Sequence, residues 1–259
     1  MKIILFVIIF LYLSAMAYLY FFQNSILFNA GAIKQEAAFE VPNMEHISLK
    51  VHDSAVLDGV YKHSESKNAP LLIYFGGNAD DATRILLYTK DLTDFNIVAF
   101  NYRGYLKSSG KPSEKNLFND ALKIYDTYGK NKKVIIIGRS LGTAVATYLS
   151  SQRKVDGLVL ITPYDSIVSI AKDDYPIFPI DLLLKNKFES TKYMAKVQNP
   201  VALIEVEGDT TVTHKHFEKL KESVPHLVSS VLLHGTTHAD VLSQKDFEKT
   251  LKEAVDKML

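Results

Sequence analysis

The sequence predicts an α/β protein: an open, mostly parallel sheet with helices on both faces, preceded by an apolar helix long enough to cross a bilayer. Three observations carry this. Ile3–Phe22 contains no charged residue, short β-branched and aromatic runs then alternate with longer amphipathic stretches, and one run leads directly into Gly138-Arg139-Ser140-Leu141-Gly142. The chain has 259 residues, 47% of them hydrophobic, and a formal charge of +1. That balance suits a buried core, excludes extensive disorder, and offers no basic surplus for nucleic acid. Cysteine is absent, which removes disulfides, thiolate metal sites and cysteine nucleophiles together.

At about 1.5 Å per residue, a helix over Ile3–Phe22 spans roughly 30 Å, the thickness of a hydrocarbon core. Tyr12, Tyr18, Tyr20, Phe21 and Phe22 lie toward its outer half, where aromatic side chains favour the interface. Residues 1–23 therefore read as a single-pass membrane anchor. The alternative is a cleaved secretory signal, since Lys2, Ile3–Leu13 and Ala15-Met16-Ala17 satisfy the three-part pattern. Against it, the apolar run continues through Phe22, past that cut. Lys2 is the only early charge and Lys34 the next basic residue, so the positive-inside bias puts the N-terminus in the cytoplasm and the remainder on the outer side, periplasmic or extracytoplasmic. Cleavage near Ala17 would instead release a secreted protein.

Residues 24–259 contain no linker-like tract or repeat and read as one domain. Ile47–Val51 and Val56–Tyr61 suit an antiparallel pair turning near Asp53-Ser54. Leu71–Phe75, Asn96–Asn101, Val134–Ile137, Gly157–Ile161, Val201–Val206 and Val228–Leu233 are short, mostly apolar runs rich in β-branched and aromatic residues, as expected of strands covered on both faces. Leu117, Ala121, Ile124, Tyr125 and Tyr128 recur at helical spacing, and Thr143–Ser151 continues a further helix. Strand and helix alternating in this way build an open sheet with right-handed crossovers, whose ligands bind at the strands' carboxyl ends.

The G-x-S-x-G string is weak alone; its place between a strand and a helix makes it informative. A nucleophilic serine on so tight a turn needs glycines beside it, and the helix N-terminus that follows favours developing negative charge. A plainer alternative is a packing turn with an inert serine. Serine also needs a base and a residue to orient it. His238, in Gly235-Thr236-Thr237-His238, and Asp209, just after Gly208, both follow strands, so Ser140, Asp209 and His238 are the candidate nucleophile, orienting acid and base. Asp165 is an alternative acid, while Asp240 stands too near His238 in sequence to reach round its ring. His234 belongs to a strand, and His214 and His216 open a helix. His214-x-His216 as a metal pair lacks carboxylate or thiolate neighbours at ligand spacing, so no metal and no organic cofactor is expected. Gly76-Gly77-Asn78 follows another strand, and the backbone N–H groups of Asn78 and Leu141 are the candidate oxyanion donors. Without G-x-G-x-x-G or a Walker lysine, Gly76-Gly77 does not read as a nucleotide site.

These motifs resemble the α/β-hydrolase superfamily and, within it, the membrane-anchored serine hydrolases of the Bem46 and ABHD13-like group. The resemblance covers nearly the whole chain. It rests on Phe22-Gln23-Asn24-Ser25-Ile26-Leu27-Phe28, Tyr74-Phe75-Gly76-Gly77-Asn78-Ala79, Asn101-Tyr102-Arg103-Gly104-Tyr105, the serine turn, and Tyr175-Pro176-Ile177-Phe178-Pro179 ahead of Pro200-Val201. Three positions depart from the group's pattern: Gly76 stands for a histidine, Leu106 for a common glycine, and Val206 for a glycine before the acid. The resemblance implies an α/β-hydrolase fold with a short lid at about 167–199. Within it, Tyr175, Ile177, Phe178, Ile180 and Leu182–Leu184 would either line an acyl pocket or simply pack on the sheet.

The expected activity is hydrolysis of carboxylic ester or thioester bonds, of small molecules or acyl lipids, through an acyl-serine intermediate. An amidase or peptidase would use the same residues. A catalytically silent, membrane-bound interaction module is the reading from a different class, and it has no physical need of the triad or the oxyanion glycines.

Overall fold

The computed structural model describes residues 1–33 and 37–259; Lys34, the second basic residue, lies outside them. The apolar N-terminal segment forms one continuous helix, α1, Lys2–Phe28, ending at Asn29 in the left-handed conformation. Among the described residues it is the one helix long and apolar enough to cross a membrane. Its half-buried positions, Tyr12, Ala15, Met16, Leu19 and Leu27, fall with buried Gln23 on one stripe at helical spacing. The remaining faces are exposed. Phe28 is fully buried, packing edge-to-face on Phe188.

The eight strands are β1 Met44–Lys50, β2 Val56–Lys62, β3 Leu71–Phe75, β4 Asn96–Phe100, β5 Val134–Arg139, β6 Gly157–Ile161, β7 Val201–Gly208 and β8 Leu227–Thr237. They form one sheet in the order β1-β2-β4-β3-β5-β6-β7-β8. β2 runs antiparallel to both β1 and β4, and every pairing from β4 to β8 is parallel. The β1–β2 turn places Asp53 and Ser54 at φ 58° and 60°, the tight reversal expected there.

Alternation along the central strands splits the core in two. Leu71, Ile73, Phe75, Val134 and Ile136 face α2, Glu114–Ile124, and α3, Leu141–Gln152. Leu72, Tyr74, Ile135 and Ile137 face a 3-10 helix, Ala82–Tyr88, and the C-terminal helix. Burial on both faces explains the unbroken apolar runs of these strands. β8 departs from that expectation: it is the edge strand, and most of it is exposed. Its apolar run therefore does not mark two-sided burial. The helical spacing over 117–128 also ends differently, with a π-helical turn over Tyr125–Gly129 after α2.

Between β6 and β7 lies the short lid, made of α4 Ile167–Asp174, α5 Ile180–Leu183 and α6 Ser190–Met194. After β7 come α7, His214–Lys221, then β8 and α8, Phe247–Asp256. The lid leans on α1. Tyr12 stacks on Phe178 at 5.3 Å and donates to the Ile177 carbonyl at 2.9 Å. Gln23 donates to the Leu183 carbonyl at 3.0 Å and accepts from the Lys185 N–H at 2.7 Å.

Candidate functional site

β5 carries the chain to Ser140, which sits at φ 49°, ψ −119°, backbone that non-glycine residues avoid at a cost of about 1–3 kcal/mol. Its N–H donates to the Ile161 carbonyl of β6 at 3.0 Å, and its own carbonyl accepts from Thr143 at 2.8 Å. The flanking glycines are steric necessities. A Cβ on Gly138 would lie 2.5 Å from the Gly142 carbonyl oxygen, and one on Gly142 would lie 2.5 Å from the Gly76 carbonyl oxygen and nearer still to that of Phe75.

The loops after β7 and β8 converge on this turn. His238 Nε2 lies 2.8 Å from Ser140 Oγ, and Nδ1 lies 2.8 Å from Asp209 Oδ2. Asp209 Oδ1 accepts the N–H groups of Thr211 at 2.9 Å and Val212 at 2.7 Å. With Asp209 as the acceptor at Nδ1, a neutral His238 carries its proton there and turns its Nε2 lone pair to the serine hydroxyl. Val206, in place of the expected glycine, does not displace Asp209.

The other candidates are engaged elsewhere. Asp165 is buried against His216, 2.9 Å from Nδ1, and against Lys219 Nζ at 2.6 Å. Burial raises its pKa, but Lys219, Ser169, the Ser166 N–H and His216 together hold it below the usual carboxylate range. Asp240 accepts from the Thr237 hydroxyl at 2.7 Å, and exposed His234 faces Glu207 at 3.4 Å. His214 and His216 diverge: His216 is buried, while His214 lies in the open beside Glu205 at 2.6 Å and Glu218 at 4.0 Å. Two carboxylates thus come within ligand distance of His214, contrary to the sequence reading; one is Glu218, four residues along α7, and the other comes from β7.

Gly77 packs beside the serine, since a Cβ there would lie 3.3 Å from Ser140 Cβ. Its N–H donates to Asp80 Oδ2 at 2.8 Å and is thereby taken. The Asn78 and Leu141 N–H groups donate to no acceptor among the described residues. Tyr102 holds the loop by donating to the Gly76 carbonyl at 2.8 Å. The Tyr105 hydroxyl lies between Asn78 Oδ1, at 3.0 Å, and the Phe28 carbonyl that ends α1. Leu106, the second departure, takes φ 48°, so the left-handed backbone that favours glycine is kept without one.

Arg139 has a role the sequence reading did not assign. Almost buried, it pairs with Asp80 and donates from Nη2 to the His238 carbonyl at 2.7 Å. One guanidinium thereby joins the serine turn, the Gly76–Asp80 loop and the histidine loop. The available signal was compositional: Arg occurs only at 84, 103, 139 and 153. Arg103 forks onto Asp120 at 2.6 and 2.7 Å, and Arg153 onto Asp126 at 2.9 Å through two nitrogens. These are planar, two-point contacts that lysine cannot copy.

A family model described as alpha/beta hydrolase fold matches residues 70–189. The chain is similar to an uncharacterized protein of Mycobacterium tuberculosis, at 27% identity over 229 residues, 84% of this chain and 80% of that one. It is also similar to the human alpha/beta hydrolase domain-containing protein 17C, at 28% identity over 193 residues, 71% of this chain and 57% of that protein. Among solved structures, a putative hydrolase from Agrobacterium vitis S4 superposes with a TM-score of 0.66 at 20% identity, over 83% of this chain and 98% of that one. An esterase of Pyrococcus furiosus gives 0.65 at 16% identity, over 87% and 96%. Strand order, the glycine-flanked turn after β5 and these likenesses agree: the chain has the α/β-hydrolase fold.

Proposed function

We propose that the chain is a serine hydrolase that cleaves carboxylic ester or thioester bonds and is tethered by residues 1–23, with the hydrolase domain over 24–259. The observation that carries this is His238 held at 2.8 Å from both Ser140 Oγ and Asp209 Oδ2, with the serine on a positive-φ turn. A packing turn or a silent scaffold has no need to maintain that strain.

In the reaction, Ser140 Oγ attacks the acyl carbon as His238 Nε2 takes the hydroxyl proton. Asp209 holds the tautomer and stabilises the imidazolium. The oxyanion accepts from the Asn78 and Leu141 N–H groups, each donor of this kind being worth roughly 2.7–4 kcal/mol of transition-state stabilisation. His238 returns the proton to the departing alcohol or thiol, leaving an acyl-Ser140. Water, deprotonated by the same imidazole, then releases the acid and restores the serine.

We read α1 as a retained anchor with its N-terminus in the cytoplasm. By the positive-inside bias of Lys2, the domain then faces the outer side. Retention fits the lid's grip on Tyr12, which a cut near Ala17 would discard.

The test uses the full chain in detergent with p-nitrophenyl acetate and a fluorophosphonate. Ser140→Ala should abolish both turnover and labelling. Labelling that persists at a different serine overturns the assignment.

A further inference from the structure

Resting on that reading, we infer that α1 forms one wall of the acyl site as well as the tether, and that the substrate is a membrane-resident ester or thioester whose long acyl chain enters between α1 and the lid. A cavity of about 350 Å³ lies there, lined by Leu19 and Ile26 of α1 and by Ile170, Ile180 and Leu183 of the lid. That is at the small end of ligand clefts, which run from about 300 to 1,000 Å³. Apart from Gln23 and Asp174 at its margin and the site-facing Asn78 and Thr211, its walls are apolar and suit a hydrocarbon chain.

One end of the cavity adjoins the chemistry. Asn78 and Thr211 also line it. Asn78 follows Gly77, which packs on Ser140, and the Thr211 N–H donates to Asp209. A chain lying in the cavity would thus have its carboxyl end beside the proposed oxyanion donor.

The other end adjoins the apolar helix. From Gln23 back to Tyr12 is eleven residues, about 16 Å along a helix and close to one leaflet of hydrocarbon. The lid tip follows α1 over that distance, because Tyr12 is the residue that Ile177 and Phe178 contact. Ile177 is 70% exposed and Leu182 83% exposed, costly in water and natural in lipid. The charges beside the tip have partners: Lys172 pairs with Asp181 at 2.8 Å, and Lys185 Nζ covers the Tyr20 ring at 3.8 Å. The same stripe of α1 therefore meets the bilayer above and lines the cavity below. An acyl chain could pass from one to the other without crossing water.

The experiment measures labelling rates of the full chain in phosphatidylcholine vesicles with ethyl and dodecyl fluorophosphonates. The dodecyl-to-ethyl ratio is compared between variants, so that partitioning of the probe cancels. Leu19→Trp and Ile26→Trp, which fill the cavity from the α1 side, should each lower the ratio by at least about tenfold, since each methylene left in water costs about 0.8 kcal/mol. Ile8→Trp, on the same helix away from the cavity, should leave the ratio unchanged. An unchanged ratio in both cavity variants overturns the inference, as does an equal fall in Ile8→Trp. Failure of the serine-hydrolase reading looks different: neither probe labels the wild-type chain, or both still label Ser140→Ala.

Discussion

Replacing Arg139 with Met tests whether one side chain holds the three loops of the site together. Arg139 is 8% exposed and Asp80 23% exposed. Removing the cation leaves a largely buried carboxylate without its partner, a loss of about 3–5 kcal/mol. For a domain of this size each kcal/mol moves the melting temperature by roughly 2–4 °C, so a fall of about 6–20 °C is expected. Release of the His238 carbonyl should also lower kcat by up to about a hundredfold, because catalytic groups tolerate little displacement. Arg139→Lys keeps the charge but reaches one partner at a time, and should fall between wild type and Arg139→Met in both measurements. Thermal unfolding of the full chain in detergent, with p-nitrophenyl acetate turnover, gives both numbers. The decisive comparison is the cycle with Asp80→Ala. If the two residues act as a pair, the double variant loses less than the sum of the single losses by at least about 1 kcal/mol. Additivity within about 0.5 kcal/mol would mean they act independently, refuting the argument.

Three further outcomes are expected. Asp209→Asn should lower kcat by about ten-thousandfold through loss of the His238 tautomer, whereas Asp165→Asn should retain most activity; the reverse result in p-nitrophenyl acetate turnover would make Asp165 the acid. Asp165 has a folded-state pKa below the unfolded value of about 3.9, so its contribution to stability is present above that pH and lost as pH falls through the folded value. Urea unfolding from pH 7 to 2 should accordingly show Asp165→Asn less stable at neutral pH but less sensitive to acid below about pH 4. Gly142→Ala, whose Cβ collides with backbone oxygens of Phe75 and Gly76, should cost at least about 3 kcal/mol. By contrast Gly31→Ala, where an added Cβ meets nothing, should stay within about 0.5 kcal/mol of wild type by the same unfolding assay.

The central strands were legible because sandwiching between helices removes any reason for alternation, so that Val134–Ile137 and Gly157–Ile161 read as uninterrupted apolar runs. β8, at the sheet edge, carries an apolar run broken by Ser229 and Ser230, and most of it is exposed. The serine turn was legible from steric logic, since only glycine fits where Gly138 and Gly142 pack on backbone. Asp209 and His238 followed from strand order, because parallel strands deliver their loops to one end of the sheet. Arg139 was not legible as a bridge, because its partners Asp80 and His238 come from loops remote in sequence. Nor was the shared wall between α1 and the lid: apolar residues on a membrane helix look alike whether they face lipid or protein. Tyr175, Ile180, Leu183 and Leu184 line the cavity while Ile177 and Leu182 point outward. Ile177 and Leu182 thus fit neither reading of the lid, and Phe178 stacks on Tyr12 of α1 instead of packing on the sheet.

α1 does not end in a flexible leash. Gln23 and Phe28 are buried in the domain, and the Phe28 carbonyl meets the Tyr105 hydroxyl beside Asn78. A domain on a disordered linker explores a volume that grows with linker length and can swing toward substrates in solution. Here the helix is docked on the domain through Tyr12, Gln23 and Phe28. With α1 in a bilayer, that docking would keep the serine near the membrane surface and confine its search for substrate to two dimensions.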